Sequence, residues 1–200
     1  MDSEQISPNL VIPVVLDKNY GLVHDNVRIL REQYRIVGGL VGSLPMQPMQ
    51  NSFLGLPLML LPEELAVLLE IDAIVLVSPA SALLSQAEQN MEKEPRLTLN
   101  WPISALEISK LAVFRDLWQK GYFLTPGLKF GGDYLVYPGD PMRYHSHFIA
   151  TVTEYDSQLT CHEIVALGRV GTNVKKNRLL CFYNPNSRSI DYTTLAWAAF

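Results

Sequence analysis

The chain has 200 residues, 48% hydrophobic and 18% charged, a balance that fits a soluble globular protein with a sizeable core. Its net charge of −4 lacks the strong positive balance of a self-sufficient nucleic-acid binder. The longest apolar run, "FLGLPLMLLPEEL", is broken by Gly55, Pro57 and Pro62 and is too short to span a bilayer, and the acidic start "MDSEQISPNL" has none of the features of a secretory signal.

From the N-terminus, "LVIPVVL" (10–16) reads as a buried strand. Asp25 is expected to cap a helix reaching about Tyr34, with Val27, Leu30 and Tyr34 on one face and Gly38-Gly39 ending it. The stretch "SLPMQPMQNSFLGLPLML" (43–60), rich in Pro and Gly, reads as irregular packed loop. Pro62-Glu63-Glu64 opens a second helix, because proline fits the first turn and carboxylates favour the positive end of the helix dipole. Leu65, Leu68 and Leu69 form its core face, and "AIVLV" (73–77) follows as a strand. Residues 1–80 thus form a small N-terminal α/β module, and the polar "SQAEQNMEKEPR" places a linker at 81–100.

Residues 101–200 are more sharply punctuated. Ser104 and Glu107 form a capping box, after which Ile108, Leu111, Phe114 and Trp118 line one helical face up to Gly121. Thr160 and Glu163 form a second box, with Ile164, Leu167 and Val170 inward and Gly171 closing the helix. "DYLVY" and "HFIATV" are strands on either side of a Pro-Gly-Asp-Pro turn, and "RLLCFY" and "SIDYTTLAW" form a hairpin across "NPNSR". The fold class is α+β: the small N-terminal module, then a domain whose mixed, largely antiparallel sheet is flanked by helices.

The charge is uneven. Residues 1–100 carry 6 Lys and Arg against 12 Asp and Glu, whereas residues 101–200 carry 10 against 8. A phosphate backbone would be met by a local patch in the second half, or with a partner's help. The two cysteines, Cys161 and Cys181, build neither a disulfide framework nor a zinc ribbon. Both are expected as buried thiols in a reducing, intracellular compartment.

The stretch "YPGDPMRYHSHF" (137–148) carries the chemistry. In an extended chain residues i and i+2 share a face, so His145 and His147 would point the same way. A metal would need a third ligand. The next carboxylate is Glu154, seven residues past His147, and His162 falls on a helix, so no metal site is expected. Tyr137, His145 and the basic cluster "VKKNR" (Lys175, Lys176, Arg178) offer instead a phenol, an imidazole and an ammonium. Those parts suffice to cleave RNA without metal: one group takes the 2′-hydroxyl proton, one protonates the departing 5′-oxygen, and a cation stabilises the phosphorane. Histidine, with an unperturbed pKa of about 6.5, suits the acid. Spacing alone does not choose between the two lysines.

"GGDYLVYPGDPMRYHSHFIATV", followed by "LGRVGTNVKKNRLLC", resembles the catalytic core of tRNA-splicing endonucleases, in particular that of the eukaryotic catalytic subunit assigned to the 3′ splice site. "VGSLPMQPMQNSFLGLPLMLLPEELAVLLEIDAIVLV" resembles that subunit's first domain, so the likeness covers nearly the whole chain. The resemblance implies a triad of Tyr137 as general base, His145 as general acid and Lys176 as transition-state cation, with no metal and no cofactor. A phenol ionises near pH ~10, so tyrosine in this role is either activated by its surroundings or orients the hydroxyl. Lys175, Arg178 and Arg143 are expected to contact RNA.

The resemblance further implies a nuclear heterotetramer with a second catalytic subunit and two structural subunits, acting on intron-containing precursor tRNA. The products would be a 2′,3′-cyclic phosphate and a 5′-hydroxyl. The terminal "IDYTTLAWAAF" is apolar enough to be the pairing edge. A scaffold subunit of the same assembly would keep the fold without the triad. A His-x-His metal-dependent enzyme is the remaining alternative.

Overall fold

The computed structural model describes residues 11–42, 54–79 and 96–196. The first part of the expected loop (43–53), most of the expected linker and the last four residues of the terminal strand lie outside them. The chain divides into two compact units, one of residues Met1–Tyr34 with Gly38–Trp101, the other of Pro102–Phe200 with the short piece Arg35–Val37. The fold is α+β, and both sheets are mostly antiparallel.

The first unit runs β1 (Ile12–Asp17), β2 (Tyr20–Val23), α1 (Val27–Glu32), β3 (Gly39–Gly42), β4 (Gly55–Leu60), α2 (Pro62–Glu70) and β5 (Ile74–Val77). Its sheet has the order β3-β4-β2-β1-β5, with β5 parallel to β1. β1 and β5 are the expected strands, whereas β2, β3 and β4 are additional to the sequence reading. The tail of the expected loop is β4, a strand between β3 and β2. Its Pro57 falls among residues 55–58, where the register with β3 shifts, and a bulge is where a sheet tolerates a missing N–H. α1 is shorter than expected: Asn26, with φ 61°, occupies the cap in place of Asp25, and the helix ends at Glu32. α2 begins at Pro62 as expected, and its Glu64 is 1% exposed. That carboxylate accepts from the N–H groups of Leu61 (2.8 Å) and Gly38 (3.0 Å), which offsets its burial.

The second unit runs α3 (Ala105–Gln119), β6 (Phe123–Pro126), a 3₁₀ turn (Leu128–Phe130), β7 (Tyr134–Tyr137), β8 (Phe148–Glu154), α4 (Cys161–Asn173), β9 (Asn177–Asn184) and β10 (Ser189–Leu195). The sheet order is β10-β9-β8-β7-β6, and only the β8–β9 pair is parallel. That parallel pair requires a crossover, which α4 provides. Beyond β6, Ile36 makes a parallel bridge to Leu124.

Both capping boxes form: Ser104 Oγ accepts from Glu107 N–H, and Thr160 Oγ1 accepts from Glu163 N–H. The apolar faces are only partly the expected ones. α3 buries Ser109, Leu111, Val113, Phe114 and Leu117, while Ile108 is exposed. α4 turns Ile164 and Val170 to solvent, buries only Gly168 and Gly171, and continues past Gly171 to Asn173. Cys161 is also exposed, because it is the first residue of α4; Cys181 is buried on β9.

Candidate active site

At one end of the second sheet, β7 finishes with Tyr137 while β8 and β9 begin at Phe148 and Asn177. Val136 is paired with Phe148, and Phe148 with Asn177. Side chains alternate along strands, so Tyr137, His147 and Lys176, each one step off that row, turn to the opposite face. α3 covers the Val136 side, where Phe114 meets Tyr134 edge-on with ring centroids 5.5 Å apart. Backbone bonds extend the ladder past the strand ends: His147 N–H donates to Val136 O (2.9 Å), and Asn177 N–H donates to His147 O (3.2 Å).

Lys176 is delivered by the end of α4. Lys175 takes the left-handed conformation, φ 54°. Its N–H donates to Thr172 O at 3.0 Å, and the Lys176 N–H donates to Gly171 O at 2.9 Å. These two bonds are the Schellman arrangement that closes a helix. Gly171 is required for the close approach, since a Cβ there would stand 2.7 Å from the Lys176 carbonyl oxygen. The half-buried Lys176 side chain then donates from Nζ to Ser146 O at 3.3 Å and lies 5.9 Å from the centre of the Phe130 ring.

The loop between Tyr137 and His147 is folded by Asp140. Its Oδ1 accepts from Met142 N–H (2.8 Å). Its carbonyl accepts from the N–H groups of Arg143 (2.8 Å) and Tyr144 (3.0 Å). An aspartate whose side chain mimics a turn in this way explains the Pro-Gly-Asp-Pro sequence. His145 follows on the returning leg, exposed, beside the buried Ser146. Lys176 is therefore anchored to the carbonyl of the residue next to His145. His147 is also exposed, with its ring edge-on to Phe148 at 6.3 Å. Among the described residues, no three His, Cys, Asp or Glu side chains gather where they could share a metal ion.

Of the expected RNA contacts, Arg143 and Lys175 are exposed. Arg178 is not: it is 1% exposed. Its guanidinium donates to Gly131 O (2.8 Å), Thr151 Oγ1 (3.2 Å) and Phe130 O (3.4 Å). A group so engaged cannot reach a phosphate. Burial lowers its pKa and the charge of Asp133 partly opposes that. Arg178 instead braces the 3₁₀ turn that carries Phe130. The clue in the sequence was the glycine pair before "DYLVY": a Cβ on Gly132 would stand 2.5 Å from Ile149 and 3.0 Å from the Arg178 guanidinium.

Comparison with known proteins puts these elements in a family. Residues 108–192 match the catalytic C-terminal domain of tRNA intron endonucleases, and residues 12–79 match a TSEN34-like N-terminal domain. The chain belongs to the Sen34 family of tRNA-splicing endonuclease subunits. The human tRNA-splicing endonuclease subunit Sen34 is 27% identical over 308 aligned positions, covering 95% of this chain and 99% of the human one. That alignment is longer than this chain, so the human subunit has residues with no counterpart here. The mouse subunit is 42% identical over 102 residues, 50% of this chain and 32% of its own. The tRNA-splicing endonuclease of Saccharolobus solfataricus is 32% identical over 98 residues, 47% of this chain and 54% of its own. Within this endonuclease family, the matched catalytic domain spans Tyr137, the Asp140 turn, both histidines, α4 and both lysines.

Proposed function

We propose that the chain is the subunit that cuts precursor tRNA at the 3′ splice site, without a metal ion. It does so in the nucleus, in a complex with a second catalytic subunit and two structural subunits. The observation that carries this reading is the anchoring of Lys176 Nζ on the Ser146 carbonyl, beside His145 and on the same sheet face as Tyr137.

In this reading Tyr137 accepts the 2′-hydroxyl proton or orients that hydroxyl, and the 2′-oxygen attacks the neighbouring phosphorus. Lys176 offsets the charge that builds on the phosphorane, and His145 donates a proton to the departing 5′-oxygen. The products are a 2′,3′-cyclic phosphate and a 5′-hydroxyl. A scaffold role would leave this arrangement without use.

The test is reconstitution of the chain with candidate partner subunits and an assay of end-labelled precursor tRNA in excess EDTA. Cleavage at the 3′ junction should proceed, and His145→Ala should lower its rate by about 10²–10⁴ while 5′ cleavage and assembly persist. His147→Ala should retain most activity. Complete loss in EDTA, restored by one specific divalent ion, would overturn the metal-free mechanism. Unchanged 3′ cleavage in His145→Ala would remove this chain from the chemistry.

A further inference from the structure

The loop that carries His145 has a second feature that the triad does not use. Tyr144, next to His145, is 53% exposed, and Met142 is 82% exposed. Single exposed apolar side chains are common on protein surfaces, so exposure alone assigns Tyr144 no role. The Tyr144 ring is nevertheless seated. A Cβ added to Gly139 would stand 2.7 Å from two of its ring carbons, so the ring packs directly against the bare glycine Cα. The Tyr144 backbone is held by its N–H bond to Asp140 O at 3.0 Å. A ring with one side seated on backbone and about half its surface open is a preformed flat apolar surface, and the residue before it in the chain, Arg143, is an exposed cation.

Aromatic faces with an adjacent cation are how proteins hold unpaired nucleobases, because every base has a face that stacks whatever its identity. We propose that Tyr144 is a stacking platform for an unpaired nucleobase of the precursor flanking the scissile phosphate, and that it thereby fixes that phosphate against His145. This rests on the proposed function. It adds a binding residue outside the Tyr137, His145 and Lys176 set, and it gives the Gly139 of the turn a purpose: any larger residue would displace the ring.

The test uses the assembled complex and a precursor tRNA carrying a 2′-O-methyl group at both cleaved nucleotides, so that it binds without reacting at either splice site, with 2-aminopurine on either side of the 3′ junction. Binding to the wild type and to Tyr144→Phe should quench the probe at one 3′-junction position. Tyr144→Ala should leave it bright and weaken binding by about tenfold. Gly139→Ala, which keeps the tyrosine but takes its seat, should also leave the probe bright. Equal quenching and equal affinity in all four proteins would overturn the platform, as would Tyr144→Ala failing to assemble with the partner subunits, since the ring would then be a protein contact. Cleavage of the unmodified precursor by the same preparations separates the two readings. Normal 3′ cutting without Tyr144-dependent quenching removes only the platform, whereas a wild-type complex that does not cut removes the function beneath it.

Discussion

Lys175, with φ 54°, stands where a helix C-terminus most often has glycine. A non-glycine residue there costs of order 1–3 kcal/mol, so Lys175→Gly should leave the chain at least as stable by thermal unfolding. If the exposed Lys175 contacts phosphate, the same substitution should weaken precursor binding modestly and flatten its salt dependence by about one unit of slope. On the proposed mechanism Lys176→Ala should do the opposite: binding nearly intact and single-turnover 3′ cleavage sharply slowed, since a transition-state cation acts most where the phosphorane forms. A Lys176→Ala protein cutting at the normal rate would remove it from the site. The cysteines separate as cleanly. Cys161 is exposed, whereas burial pushes the Cys181 thiol from its ordinary 9.0 up to about 12. A maleimide at neutral pH should modify Cys161 in the folded chain and reach Cys181 only on unfolding. Because the folded thiol ionises later than the unfolded one, Cys181 contributes stability that is full below about pH 9. That contribution should fade as pH rises towards about 12. Tyr192 shifts in the same direction, raised by burial and by its short hydrogen bond to Asp116. Unfolding midpoints that do not fall above pH ~9 would contradict both.

At the scale of elements, α4 is the part that aims the site. Its last turn sets where Lys176 begins, and Gly171 leaves no room for a side chain against the Lys176 carbonyl. Gly171→Ala should therefore shift the lysine, slow 3′ cleavage and destabilise the second unit by about 1–3 kcal/mol. Equal melting temperature and equal cleavage would show that the turn accommodates the methyl. Much of this element could be read from residues: the Thr160–Glu163 box and the Asp140 turn depend on local bonds, which sequence encodes directly. Glu163 accepts from both Thr160 N–H and Oγ1, which holds its carboxyl below the usual range. What periodicity could not give was the direction of the apolar faces. On α4, Ile164 and Val170 keep helical spacing yet face solvent, and on α3 the buried stripe keeps Leu111 and Phe114 but takes in Val113 and Leu117 rather than Ile108. Spacing identifies a stripe without saying what lies under it. β4 escaped notice for a related reason, since Gly55 and Pro57 read locally as breakers while neighbouring strands on both sides impose the ladder. The burial of Arg178 was harder to read: "RLLCFY" reads as a strand from Arg178 on, but only its parallel pairing with β8 shows that alternation turns this side chain against the 3₁₀ turn.

For the whole molecule, the question is what its second sheet presents to a partner. Ile36 bridges to Leu124 alongside β6, so that flank of the sheet has a neighbour, whereas β10 is the last strand on the other flank. An edge strand offers unpaired backbone groups and invites another strand. β10 is tied to its own domain through Tyr192, which donates to Asp116 while Lys120 lies 4.6 Å from the ring centre. The strand is thus fastened from one side of the sheet, with its alternate residues Asp191 and Thr193 exposed. If β10 is the surface on which the structural subunit docks, deleting residues 190–200 should abolish co-purification with that subunit. Tyr192→Phe keeps the strand and removes only the bond to Asp116, so it should retain co-purification with a lower melting temperature. That pairing of variants separates loss of an edge from loss of a fastening. A truncated chain that still co-purifies would put the interface on another surface, and the exposed Ile164 and Val170 of α4 would be the next to mutate.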